Sequence, residues 1–98
     1  MKTTKIEAVI EEQPLAFIRR QPPATRQQLR EALHAIGRGK IFPEPLDEEL
    51  EGFYKVRVES CRLIVQHVAG EAGPFFRVVF IERRSVVYEM FRQIIALE

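Results

Sequence analysis

Cationic side chains and a tyrosine fall in two short segments of the second half of the chain. These residues are Lys55, Arg57, Arg62, Arg83, Arg84 and Tyr88. Arginine presents a planar fork of N–H donors that matches the oxygens of a phosphate, and lysine adds a compact charge beside it. Because a single surface arginine is usually just solvated, these side chains predict a phosphate site only if the fold brings the two segments together.

The spacing of the first segment predicts a β-hairpin around Glu59 and Ser60. Residues 53–58 alternate in polarity and residues 62–69 are rich in Leu, Ile and Val, as is typical of strands. A two-residue turn would place four pairs of residues opposite each other: Val58 and Cys61, Arg57 and Arg62, Val56 and Leu63, and Lys55 and Ile64. Since directly opposite residues share a face of a sheet, we expect the three cations on one side of the hairpin.

This register sets Arg57 directly opposite Arg62, and like charges in that position repel each other. Two interpretations follow. Either a bound anion stabilises the pair, or each arginine points into water or pairs with an acid such as Glu82. The second charged segment bears on the choice, because the end of a neighbouring strand could bring Arg83 or Arg84, with Tyr88, to the same face.

The remaining pattern predicts an α+β fold. Strands are expected over residues 5–10 and 75–82, and helical segments over residues 15–20, 23–38 and 86–97. The three consecutive strands of residues 53–82 predict an antiparallel meander. In the long helix, Arg26, Arg30, His34 and Arg38 recur every four residues. Such a stripe is either a solvated face or a surface that meets an acidic or phosphate-bearing partner.

Composition limits the class of protein. The chain has 98 residues, which predicts one domain over residues 1–98, and its 15 Lys and Arg against 14 Asp and Glu give a net charge of +1. Residues 1–52 carry a net charge of −1, residues 53–98 one of +2. One cysteine, no signal peptide and no apolar run of membrane length together predict a cytoplasmic protein. Cys61 is expected to be buried, as free cysteines usually are. His34 and His67 are both expected to have structural roles.

The two charged segments, read in order, resemble the C-terminal half of the RelE/ParE superfamily of toxin–antitoxin toxins. The resemblance rests on GFYKVRVESCRLIVQHV and VVFIERRSVVYEMF, and it extends from Leu50 to Tyr88. The upstream helix, which has two prolines before it and glycines at its end, is similar as well. The resemblance implies an α+β fold in which two N-terminal helices pack on a twisted antiparallel sheet, followed by a C-terminal helix.

The RelE-like branch implies a function: metal-independent cleavage of mRNA, typically on the ribosome, by attack of the 2′-hydroxyl on the adjacent phosphate. No metal or cofactor is expected, and the expected partners are an antitoxin protein, mRNA and the ribosome. Of the matching cations, Lys55 is the better candidate base.

The resemblance also assigns roles to the other residues. Arg57, Arg62 and either Arg83 or Arg84 would bind the phosphate and stabilise its transition state, and Tyr88 would orient the nucleotide. Arg84, Arg26 and Arg30 are further candidates for substrate binding.

Three features depart from the family pattern. Cys61 and Val65 stand where aromatic residues are common, and residues 44–51 are acidic although a toxin that docks on ribosomal RNA is expected to be basic. Two other functions therefore stay open. One is a ParE-like inhibitor of a topoisomerase such as gyrase, and the other is a binding module of the same fold that has lost its catalytic activity.

Overall fold

A computed structural model describes residues 7–97, which form five strands and three α-helices. In chain order the elements are β1 (Glu7–Ile10), α1 (Glu12–Arg19), α2 (Pro23–Gly37), β2 (Glu44–Pro45), a 3₁₀ turn (Glu48–Leu50), β3 (Phe53–Val58), β4 (Cys61–Gly70), β5 (Gly73–Arg83) and α3 (Val87–Ala96). The predicted elements are confirmed to within a few residues at most ends. Residues 5 and 6 of the predicted first strand lie outside the described residues.

All five strands form one sheet, in the order β1-β5-β4-β3-β2. Strands β3, β4 and β5 form the predicted antiparallel meander, and β2 adds to its edge in the same sense. Strand β1 pairs with β5 in parallel, and the two helices and three strands between them supply the long connection that a parallel pair requires. The sheet is therefore mixed rather than wholly antiparallel, and the predicted α+β class is confirmed.

Each face of the sheet has its own apolar core. On the first, which we call the α1/α2 face, the helices contribute Phe17, Ile18, Leu29, Leu33 and Ile36, packed on Val56, Cys61, Leu63, Val65, Val78 and Ile81 of the strands. On the second, the α3 face, Val87 and Phe91 of α3 pack on Leu50, Ile64 and Phe80. None of the helices in residues 7–97 is long and apolar enough to cross a membrane.

A β-bulge changes the alternation of strand β5. Ile64 pairs with Phe80, but the next residue, Val65, pairs with Val78, so Val79 has no partner on β4. An extra residue in one strand moves every later side chain of that strand to the other face. As a consequence, the even-numbered residues of β5 face α1 and α2 before the bulge, as Val78 does, and face α3 after it, as Phe80 does.

The side chain of Gln13 completes the hydrogen bonding of β5 where β1 has ended. The last backbone bond in this direction joins the amide of Glu11 to the carbonyl of Val78. Beyond it, Gln13 Nε2 donates to the carbonyl of Ile81 and Gln13 Oε1 accepts from the Ile81 amide, both at 2.9 Å. One side-chain amide therefore stands in for a strand residue and links the start of α1 to a residue 68 positions away.

Replacement of this glutamine should destabilise the fold. In Gln13→Ala, both backbone groups of Ile81 lose their partners, which we expect to lower the free energy of unfolding by about 1–3 kcal/mol. Urea unfolding measures the loss, and faster hydrogen exchange of the Ile81 amide localises it. Gln27→Ala is the matched control, because Gln27 is exposed and makes one long bond of 3.4 Å to Glu31. Equal stability of the two variants would contradict the proposed role of Gln13.

Candidate phosphate-binding site

The predicted register of the β3–β4 hairpin is confirmed. Arg57 lies opposite Arg62, and Lys55 opposite Ile64, with Glu59 and Ser60 forming the turn. Glu59 has a φ of 54°, a left-handed conformation that is uncommon outside glycine. The amide of Arg84 donates to the carbonyl of Ser60 at 2.8 Å, so the residue that follows β5 is tied to this turn.

Lys55, Arg57 and Arg62 lie on the α3 face, as the register requires. Tyr88, in the first turn of α3, lies at the side of this group, with its ring centroid 6.0 Å from Lys55 Nζ. That distance is the outer limit of a cation–π contact. A cavity of about 170 Å³ lies beside the pair, lined by Leu46, Asp47, Leu50, Lys55, Tyr88 and Arg92. The structure thus brings four of the predicted site residues together.

The two opposed arginines avoid each other because each has a different acceptor. Arg62 turns toward the hairpin turn, where Nη1 donates to the carbonyl of Glu59 at 3.0 Å and to that of Cys61 at 2.8 Å. Arg57 turns the other way and forms an ion pair with Glu44 of β2, with Nε 3.4 Å from Oε1. Of the two interpretations made from the sequence, pairing with an acid therefore holds for Arg57.

Glu82 does not take the role that the sequence suggested for it. It lies directly opposite Arg62 on β5, but its Oε2 accepts from the amide of Arg83 at 3.1 Å. Within residues 7–97, no ion pair joins Glu82 to Arg57 or to Arg62.

Three of the other four candidates lie on the opposite side of the sheet from this group. The bulge at Val79 puts Arg83 opposite Cys61, on the α1/α2 face, while Arg84 lies in the turn that follows. Arg26 and Arg30 belong to α2, which packs on that same far face. The sheet therefore separates Arg26, Arg30 and Arg83 from Lys55 and Arg62.

Arg92 and the carboxylates of residues 44–51 are parts of the site that the sequence pattern did not predict. Arg92 lines the cavity beside Lys55 and pairs with Glu49, with Nε 3.1 Å from Oε1. It follows Tyr88 by one helical turn, a spacing that the sequence does contain. Glu44 lies opposite Lys55 in the β2–β3 register, so carboxylates as well as cations surround the lysine.

Cys61 is buried beneath the hairpin turn, as predicted, and only 4% of it is exposed. Burial raises the pKa of its thiol, because the thiolate would lose its hydration, and the positive charge of Arg83 offsets part of this effect. The thiol therefore holds its proton at neutral pH and belongs to the core of the α1/α2 face.

Comparison with known proteins bears on the fold. No family model matches the sequence, and no curated protein matches it. Among solved structures, a chain of the toxin–antitoxin complex RelBE2 from Mycobacterium tuberculosis superposes with a TM-score of 0.69 at 16% identity. The match covers 83% of this chain and 100% of that one. The fold of this chain is RelE-like. At this level of identity the likeness concerns the fold alone.

The buried thiol predicts how stability changes with pH. Because the folded pKa of Cys61 is raised, its contribution is fully present below the unfolded pKa and is lost as pH rises through the folded one. We expect the difference in unfolding free energy between the wild type and Cys61→Ala to shrink from neutral to alkaline pH. Urea titrations of both proteins at each pH measure it, and groups common to both cancel. A difference independent of pH would contradict the raised pKa.

Proposed function

We propose that this protein is the toxin of a type II toxin–antitoxin system and acts as a metal-independent mRNA endoribonuclease. The observation that supports this most is that Lys55, Arg57 and Arg62 share one face of the sheet, with Tyr88 at its side. Cations in this arrangement can hold a phosphodiester and stabilise the charge that develops on it. The RelE-like fold supports the same proposal, because the RelBE2 complex is a toxin–antitoxin complex.

In the proposed reaction, the 2′-oxygen of a ribose bonds to the adjacent phosphorus and the bond from phosphorus to the 5′-oxygen breaks. The products are a 2′,3′-cyclic phosphate and a 5′-hydroxyl, so the net reaction moves the 2′-hydroxyl proton to the leaving oxygen. In this proposal Lys55 accepts that proton as the general base. Tyr88, whose ring lies beside Lys55, would stack on or orient a base.

Arg62 is the arginine best suited to hold the scissile phosphate. Two turn carbonyls fix its Nη1, and an arginine has five N–H donors, so donors on Nε and Nη2 stay available to a phosphate. For the second transition-state arginine we favour Arg84 over Arg83, because the bulge puts Arg83 on the far face. Any contact of Arg26 or Arg30 with RNA would involve a part of the RNA that is remote from the cleaved bond.

An antitoxin is the proposed protein partner, and mRNA on the ribosome is the proposed substrate. Both would be met in the cytoplasm. A stripe of cations on α2, on the other side of the sheet, leaves a second surface available for such partners.

Replacement of Arg62 tests the nuclease. We expect induction of the wild type to arrest growth and create new mRNA 5′ ends that carry hydroxyl groups. Arg62→Ala should reduce their formation by about 10²–10³-fold, the usual effect of losing one transition-state donor. Mapping of mRNA 5′ ends measures the cleavage, and we expect the cuts to fall in phase with the codons. Arg20→Ala is the matched control, because Arg20 is exposed at the end of α1 on the far side of the sheet and outside the α2 stripe.

Two results would overturn the nuclease proposal. Growth arrest with intact mRNA and accumulated DNA breaks would identify a topoisomerase inhibitor instead. Folded wild-type protein at normal levels with no arrest would identify a binding module without catalytic activity.

A further inference from the structure

An acidic segment, residues 44–51, runs along the same face as the proposed phosphate site. Its carboxylates lie beside the cations at three points. Glu44 pairs with Arg57, Asp47 lines the cavity that holds Lys55, and Glu49 pairs with Arg92. The segment therefore places negative charge directly beside the cations of the proposed site.

The backbone of this segment is held in place. Glu44 and Pro45 form β2 opposite Lys55 and Tyr54, and the amide of Leu46 donates to the carbonyl of Phe53 at 2.9 Å. At its other end, Leu50 is buried in the core of the α3 face with only 3% of its surface exposed. Hydrogen bonds and apolar burial thus hold the backbone of this segment beside the site.

The ion pairs themselves are easily exchanged. The side chains of Arg57 and Glu44 are 59% and 55% exposed, and exposed ion pairs contribute little to stability. A phosphate can therefore displace the carboxylate of Glu44 from Arg57 by rotation of side chains alone. The carboxylate would stay nearby after displacement, because β2 is held by its pairing with β3, and it would repel any second phosphate.

We propose that Glu44 competes with RNA for Arg57, so that the acidic segment limits the site to a single phosphate of a single-stranded RNA. This inference rests on the proposed function and makes Glu44 a determinant of substrate specificity. Arg62, which has no carboxylate partner within residues 7–97, would hold that phosphate, with Lys55 beside it. Affinity for free RNA would be low and only weakly dependent on salt, because few counterions are released.

The test measures RNA affinity as a function of salt. The probe is a short fluorescein-labelled RNA whose 2′-hydroxyls are methylated, so that it binds without being cleaved. We expect Glu44→Gln to bind about two- to fivefold more tightly at low salt. Its plot of log affinity against log salt should be steeper by about 0.7, the value for one additional phosphate contact to a single strand. The gain should vanish when Arg57→Gln is added.

Glu71→Gln is the matched control. It removes the same charge from an exposed residue in the β4–β5 turn, at the end of the sheet away from the hairpin turn. Equal affinity and equal salt slope for the two variants, with binding that still depends on Arg62, would overturn this inference and leave the proposed function intact. Binding that does not depend on Arg62 in any of the proteins would overturn both.

Discussion

The two-residue turn at Glu59 and Ser60 determines what the rest of the molecule can present. It sets the register of β3 on β4, and side chains alternate between faces, so a shift by one residue would send Lys55 and Arg57 into the core. Apolar burial enforces the choice, because Val56 and Leu63 meet on the α1/α2 face. The cations are thus on the α3 face because Val56 and Leu63, which alternate with them along the strands, are buried on the α1/α2 face.

The parts of the structure that the sequence predicts are those with local causes. The turn, the alternation of β3 and the periodicity of α2 each depend on residues close together in the chain, and all three are confirmed. The bulge was not predictable, because Val78 and Val79 are identical in type and nothing marks either as the extra residue. That one residue separates Arg83 from the site. The contact between Glu44 and Arg57 depends on β2, a strand of two residues without a periodic pattern.

The net charge of +1 has a structural explanation. It does not arise from a basic surface balanced by a distant acidic one, since carboxylates of residues 44–51 lie within ion-pair distance of cations on the α3 face. A site of this kind exerts little long-range attraction on an anionic ligand, and it selects its ligands by direct contact instead. If RNA is the ligand, most of the affinity has to come from surfaces other than the cluster itself.

Gln13 links the first helix, α1, to the backbone of β5. Its amide holds the backbone of Ile81, one residue before Glu82, and Arg84 is tied in turn to the hairpin. A force applied to the first helix would therefore be transmitted along β5 to the tip of the hairpin, without passing through any charged side chain. A protein bound to the N-terminal part of the chain could therefore influence the hairpin from behind the sheet.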